Sequence, residues 1–541
     1  MKTYPIAVVA LALGSGLAAQ NFSPDRIRAD VAFLADDALE GRGTGTRGYD
    51  LAAKYVAARF EALGLKPAGD DGWYQKINFI TAVPNPARPS ALTINGHRYI
   101  SGEQSLVGAN VTASAIDQTV PAVFAGYGLE DRPLGFDDYQ GLDVRGKIVV
   151  LISGTPPGLP SDIAATLSSR KPETLRDRGA LGYISLGNPK QLESFPWERA
   201  KASLALPRMR WIHPDGQIED PNRSLVLNAS VHPAIAGELF KGTRLEGRLQ
   251  GLFDKPPQRI KGFDLPRQIR VERYSLIDKV GSANVLGLLE GSDPTLSKEV
   301  VMLTAHLDHL GILPSGPDRI ANGAMDNASG IATMLEAARA FVDSGVRPKR
   351  SILFVAVTGE EKGEFGSEYL AKYPLPHGRK LVVNVNLDMP ILTYDFTDLV
   401  AFGAEHSTVG PAISSAVARM GLMLSPDPQP EEGFFTRSDQ YSFVKAGIPS
   451  VYLVTGFANG GEKANKDFDA NHYHDASDDL SQAIDWNAGA KFAKVNYLIA
   501  RELADAPERP RWYKGDFFGE KFAPDEPKVA APKASGTTLA K

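Results

Sequence analysis

The chain has 541 residues, room for about two to four domains, and 43% hydrophobic with 23% charged residues exclude a wholly disordered polymer. A net charge of −5, from 59 basic and 64 acidic residues, offers no bulk positive field for a phosphate backbone, so nucleic acid is not an expected partner. The lack of cysteine excludes disulfides, thiolate metal sites and thiol nucleophiles, so any metal must be held by His, Asp and Glu.

Residues 1–19, MKTYPIAVVALALGSGLAA, read as a secretory signal peptide. Lys2 gives the positive start, Ile6 to Leu13 an apolar run, and Ala18 or Ala19 a small-residue cleavage site. The run is far shorter than the roughly 20 residues of a spanning helix, so an exported chain without a stable membrane span is expected, periplasmic or secreted. Residues 25–65 read as helical with a polar break at the glycine-rich LEGRGTGTRG, and residues 72–110 as short strands. Residues 112–255 carry AVFAGYG, GKIVVLISG and GALGYISLG, β-like runs in a small module without convergent His, Asp or Glu. From 256 to 505 the pattern is α/β. Buried-strand runs at Val300–Leu303, Ile352–Val357, Leu381–Val385 and Ser450–Val454 alternate with helical patterns at Ala328–Val342 and Ala488–Leu503. The fold class expected is α/β, a mixed, mostly parallel sheet flanked by helices, with an inserted β-rich domain. Residues 506–541, rich in Pro, Lys and Ala, read as a loosely held tail.

Candidate chemistry lies after the strands. His306 and Asp308 follow the first run, the pair Glu360–Glu361 the second, and Asp388 the third; in open α/β sheets that edge binds ligands. Asp326 precedes one helix and His474 lies before the last. Six of the nine histidines fall between 306 and 474. Clustered carboxylates and imidazoles repel and lose hydration unless a cation balances them. His306, Asp326, Glu361, Asp388 and His474 supply five donors, with Asp326 able to bridge through both oxygens. Nitrogen and oxygen ligands suit two zinc ions, with cobalt or manganese as substitutes.

The ordered motifs AHLDHLG, GAMDNASG, TGEEKGEFGS, NLDM and HYHDASDDL resemble the co-catalytic di-zinc exopeptidases of the aminopeptidase and glutamate carboxypeptidase family. The resemblance spans about residues 275–500, and GRGTGTRGYDLAAKYVAARFEALGLKPAG resembles the family's N-terminal segment. It implies that His306 and Asp388 hold one zinc and that Glu361 and His474 hold the other. Asp326 bridges them, and Glu360 is the general base that takes a proton from the attacking water. VFAGYGLEDR, DDYQGLDVRGKIVVLISG and GALGYISLG resemble a protease-associated domain. Together these imply a peptidase domain built from 20–111 and 256–505, interrupted by 112–255. The family's usual acidic residue before the bridging aspartate is here Met325.

Tyr473 is expected to donate a hydrogen bond to the developing oxyanion. Asp308 is expected to orient His306 through its other ring nitrogen, and Asp439, in RSDQYSF, to touch substrate. His309 and His472 are read as bystanders or pocket rim. The expected function is an exported aminopeptidase acting on peptide substrates. Alternatives are a glutamate carboxypeptidase or dipeptidase-like hydrolase, a single-zinc glutaminyl-cyclase-like enzyme, and a non-catalytic transferrin-receptor-like binding protein.

Overall fold

The computed structural model describes residues 21–187, 192, 196–373, 375 and 378–532; the signal-peptide reading of residues 1–19 lies outside them. The main sheet has four parallel central strands, in the order Ser351–Val357, Glu299–His306, Lys380–Leu387 and Ser450–Thr455. Each is almost wholly buried, as continuous apolar runs must be when helices cover both faces. Antiparallel strands extend both sides. The second half of Phe263–Leu289, then Tyr74–Pro84 and Arg208–Ile212, continue from Ser351–Val357. Asp398–Phe402 pairs antiparallel with Ser450–Thr455, and Met423–Ser425 lies parallel beyond it.

On one face the helices Pro24–Leu34, Arg47–Ala62, Gly330–Asp343, Val409–Ala418 and Trp486–Asp505 share the largest core. Gly330–Asp343 shows why periodicity located it: Ile331, Met334, Leu335, Ala338 and Phe341 recur at helical spacing and all are buried. On the other face a smaller core gathers Leu286, Met302, Leu353, Val355, Leu370 and Phe443. Because the four central strands are parallel, His306, Val357, Leu387 and Thr455 all finish at one edge of the sheet.

A second sheet, with its own core, is built from Ala115–Phe124, Ile148–Ile152, Gly182–Leu186 and Leu227–Val231, consecutive parallel neighbours. Ala91–Ile94, His97–Ile100, Ser105–Val107 and the first half of Phe263–Leu289 complete it. It thus draws in strands from both sides of residues 112–255. The 27-residue strand Phe263–Leu289 runs through both sheets. A pairing of one strand with two sheets leaves no mark in local sequence.

The reading of residues 506–541 as a loosely held tail does not hold for its described part. Trp512 and Phe518 are buried with Val400, Phe402, Phe435 and Tyr452, and the helix Phe517–Phe522 is capped by Asp516. The Pro and Lys content masked the aromatic run WYKGDFF, whose burial outweighs it. No described helix is long and apolar enough to cross a membrane.

Candidate metal centre

Three strand ends and two turns converge on the carboxyl edge of the parallel strands. His306 is the last residue of its strand and Asp388 directly follows the next. Their side chains meet: His306 Nε2 lies 3.0 Å from Asp388 Oδ1 and 3.1 Å from Asp326 Oδ1. The other oxygen of Asp326 faces a second group, with His474 Nε2 3.5 Å away and His474 Nε2 to Glu361 Oε2 at 3.3 Å. Asp326 therefore stands between two sets of donors, one oxygen toward each. Donors sharing a tetrahedral zinc at about 2.0–2.2 Å sit about 3.3–3.5 Å from one another; the His474 spacings match this and the His306 spacings fall slightly below it, and His306, Asp326 and Asp388 lie close enough to share one metal ion.

The turn that carries Asp326, Ala324–Ser329, is pinned from the far end of the chain. Asp478 accepts from the Met325 N–H (2.9 Å) and the Asp326 N–H (3.0 Å), and Gln482 donates to Asp478 Oδ1 at 2.7 Å. Asp478 is fully buried. Replacing it leaves two buried N–H groups unpaired, at about 1–3 kcal/mol each. Asp478→Ala should therefore lower unfolding stability by about 2–6 kcal/mol in a denaturant titration. A cost below about 0.5 kcal/mol would contradict this anchoring role.

Asp308 does meet the other ring nitrogen of His306, but through its backbone carbonyl, 3.0 Å from Nδ1, and not its carboxylate. The carboxylate instead accepts from Thr44 Oγ1 (2.7 Å) and from the Glu360 N–H (3.2 Å), tying the N-terminal segment and the Glu360 loop together. Buried Arg42 ties the N-terminal segment to the end of the His306 strand and to the chain just before Asp326, donating to the carbonyls of Leu34, Leu307, Asn322 and Gly323. Asp388 is steadied by Ser438, whose Oγ donates to Oδ2 at 2.5 Å.

The electrostatics follow from burial. Burial raises the Glu360 carboxyl well above its ordinary range, and neighbouring Asp388, Glu361 and Asp439 add to the push. Glu361 behaves oppositely: against burial and Asp326, the His309 and His474 imidazoles hold it down to about 2. Asp326 is likewise held well below the usual range, burial being outweighed by His309, His306 and His474. Burial would depress His474, but Asp326 and Glu361 raise it to about 10. Positive charge is thus in demand among the carboxylates that could hold metal, while Glu360 is left avid for a proton.

A cavity of about 270 Å³ opens over the cluster, lined by His306, Asp326, Glu360, Asp388, Tyr473 and His474, with Arg437, Glu432 and Asp469 further round its wall. Tyr473 stacks on the His474 ring, centroids 3.8 Å apart. Burial and the nearby Asp326 and Glu361 raise its phenol strongly, so it stays a donor. Asp439 is displaced from its expected role. It is fully buried, does not line the cavity, and burial pushes it up to about 8; Ser438, one residue earlier, faces the cavity instead. His472 lies aside, its Nδ1 at 3.1 Å from Ser477. His309 is no rim residue: it is fully buried, with Nδ1 2.7 Å from Glu361 Oε1. Only its place in HLDH, three residues from His306, hinted at this. Asp478 sits in the acidic run DASDD, which reads equally as a solvated turn.

Residues 284–500 match peptidase family M28. A protein from Pyricularia oryzae named "Probable zinc metalloprotease" is 29% identical over 267 residues, 42% of this chain and 51% of the relative. Human transferrin receptor protein 2 is 35% identical over 139 residues, 25% of this chain and 15% of that one. The chain spans about half the length of the first curated relatives it matches. A solved aminopeptidase from Aneurinibacillus sp. strain AM-1 aligns over 90% of this chain and 95% of its own, with TM-score 0.50 and 17% identity, a likeness of fold.

Proposed function

For a chain that carries a peptidase family M28 domain at residues 284–500, we propose a zinc-dependent exopeptidase, an exported aminopeptidase that removes N-terminal residues from peptides. The observation that carries this reading is the shared carboxylate of Asp326, with its two oxygens toward separate donor sets. His306 and Asp388 would hold one zinc, Glu361 and His474 the second, and Asp326 both. Such a pair supplies an acidified water and a Lewis acid for the scissile carbonyl.

The remaining chemistry falls to side chains. Glu360 lines the cavity and its raised pKa suits a group that accepts the water's proton and returns it to the leaving amine. Tyr473, kept protonated and lining the cavity, would donate to the oxyanion. Glu432 and Asp469 in the cavity wall would hold a free α-ammonium by charge. The second sheet is read as a protease-associated-like module beside this site.

Arg437 favours one other reading. Among the described residues lining the cavity it is the one Arg or Lys, and a substrate carboxylate there would indicate a carboxypeptidase or dipeptidase. The test is a comparison of aminoacyl p-nitroanilides, N-blocked peptides with C-terminal Glu, and free dipeptides. Turnover of the anilides with none of the blocked peptides is expected; cleavage of blocked peptides alone would overturn the aminopeptidase reading. No hydrolysis of any of them by the zinc-loaded protein would count for a binding role.

A further inference from the structure

His309 is the buried imidazole that the five-donor reading leaves without work. Its ring is held in one place. It lies against Gly323, where a Cβ would come within 2.7 Å of His309 Cδ2, and Gly323 has φ +62°, so both the space and the backbone favour glycine. Two roles are open to a ring so placed: direct metal ligand, or donor to a ligand.

Distances separate them. His474 Nε2 stands 3.3 Å from Glu361 Oε2 and 3.5 Å from Asp326 Oδ2, the spacing of donors around one cation. His309, Asp326 and Glu361 also lie close enough together to share a metal ion, but His309 Nδ1 is 2.7 Å from Glu361 Oε1, shorter than the 3.0–3.5 Å spacings among the other donors, and 3.7 Å from Asp326 Oδ2. The two histidines also address different oxygens of Glu361. The far ring nitrogen of His309 gives a second indication. A ligating histidine as a rule donates its second N–H to a carbonyl or carboxylate, as His306 Nδ1 can to the Asp308 carbonyl. His309 Nε2 is buried with no hydrogen-bond partner among the described residues. A buried N–H there would be orphaned, whereas a bare lone pair costs less, so the proton belongs on Nδ1, facing Glu361.

We propose that His309 is a positioning residue: its Nδ1–H holds Glu361 Oε1 so that Oε2 points at the second cation beside His474. The assignment rests on the two-cation reading above. Loss of an outer partner of a metal-binding carboxylate commonly weakens binding about 10–100-fold. That loss should fall on the Glu361–His474 site and spare the His306–Asp388 site.

The test is calorimetric titration of metal-stripped protein with Zn²⁺, and Co²⁺ absorption of the loaded forms, in the wild type, His309→Leu and His309→Asn. The wild type should take up two equivalents. His309→Leu should bind one of them about 10–100-fold more weakly, with the other unchanged and the fully loaded Co²⁺ spectrum retained. His309→Asn, whose amide N–H can take the place of Nδ1–H, should recover most of the loss. Should His309→Leu not fold, His309→Gln serves, since its amide reaches to the Nε2 position and should not rescue. Unchanged affinity in His309→Leu, or equal weakening of both sites, would overturn the assignment. So would a changed Co²⁺ spectrum with no rescue by Asn, which would make His309 a ligand. Fewer than two equivalents in the wild type would instead overturn the two-cation reading beneath it.

Discussion

Glu360→Gln should lower kcat by about 10²–10⁴-fold while two metal equivalents remain bound. The amide keeps the volume and the hydrogen-bonding outline of the carboxylate but cannot take a proton. Glu360 contributes nothing to the donor contacts at the two metal sets: its backbone N–H meets Asp308, and its side chain faces the cavity. The variant therefore separates proton transfer from metal binding. Burial among Asp388, Glu361 and Asp439 also means that removing this carboxyl relieves repulsion, so stability should hold or rise by thermal melting. A variant with full activity would remove Glu360 from the mechanism. One that lost metal would make it a ligand.

Asp326→Asn should be harsher, because in the proposed site one side chain serves both cations. Asparagine offers one oxygen and one N–H₂ group, so one donor set faces a donor where it needs an acceptor, and both lose negative charge. Weakening should exceed the roughly 10–100-fold that follows loss of an outer partner, and metal content should fall well below two per chain with activity lost. The contrast with Glu360→Gln is the informative part: two neutral amides, one sparing the metals and one shedding them. Retention of two equivalents by Asp326→Asn would contradict the bridging geometry, in which Oδ1 faces His306 and Oδ2 faces His474.

Legibility in the sequence tracked the range of the interactions. His306 and Asp388 could be placed because parallel strands bring their carboxyl ends to one edge, a rule of the fold that needs no contacts. Asp326 needed the motif around it, since a lone Asp before a helix is usually a cap. What failed depended on orientation or distant partners. Asp308 was placed near His306, but which of its oxygens would face the ring is set by Thr44, over 260 residues away. The Ser-Asp pair in RSDQYSF resembles a family segment near the substrate pocket, but the backbone turns Asp439 inward and shows Ser438 to the cavity instead. Nothing local in the sequence distinguishes the buried imidazole of His309 from one at a pocket rim. The Phe263–Leu289 strand, shared by two sheets, and the docking of Trp512 and Phe518 are equally nonlocal.

In the proposed site Asp326 stands between two cations. Metal analysis of the wild-type protein, loaded with zinc and dialysed without chelator, tests it most directly. Two equivalents per chain, falling in parallel with activity as chelator is added, are predicted. A single equivalent supporting full activity, or none, would contradict the account.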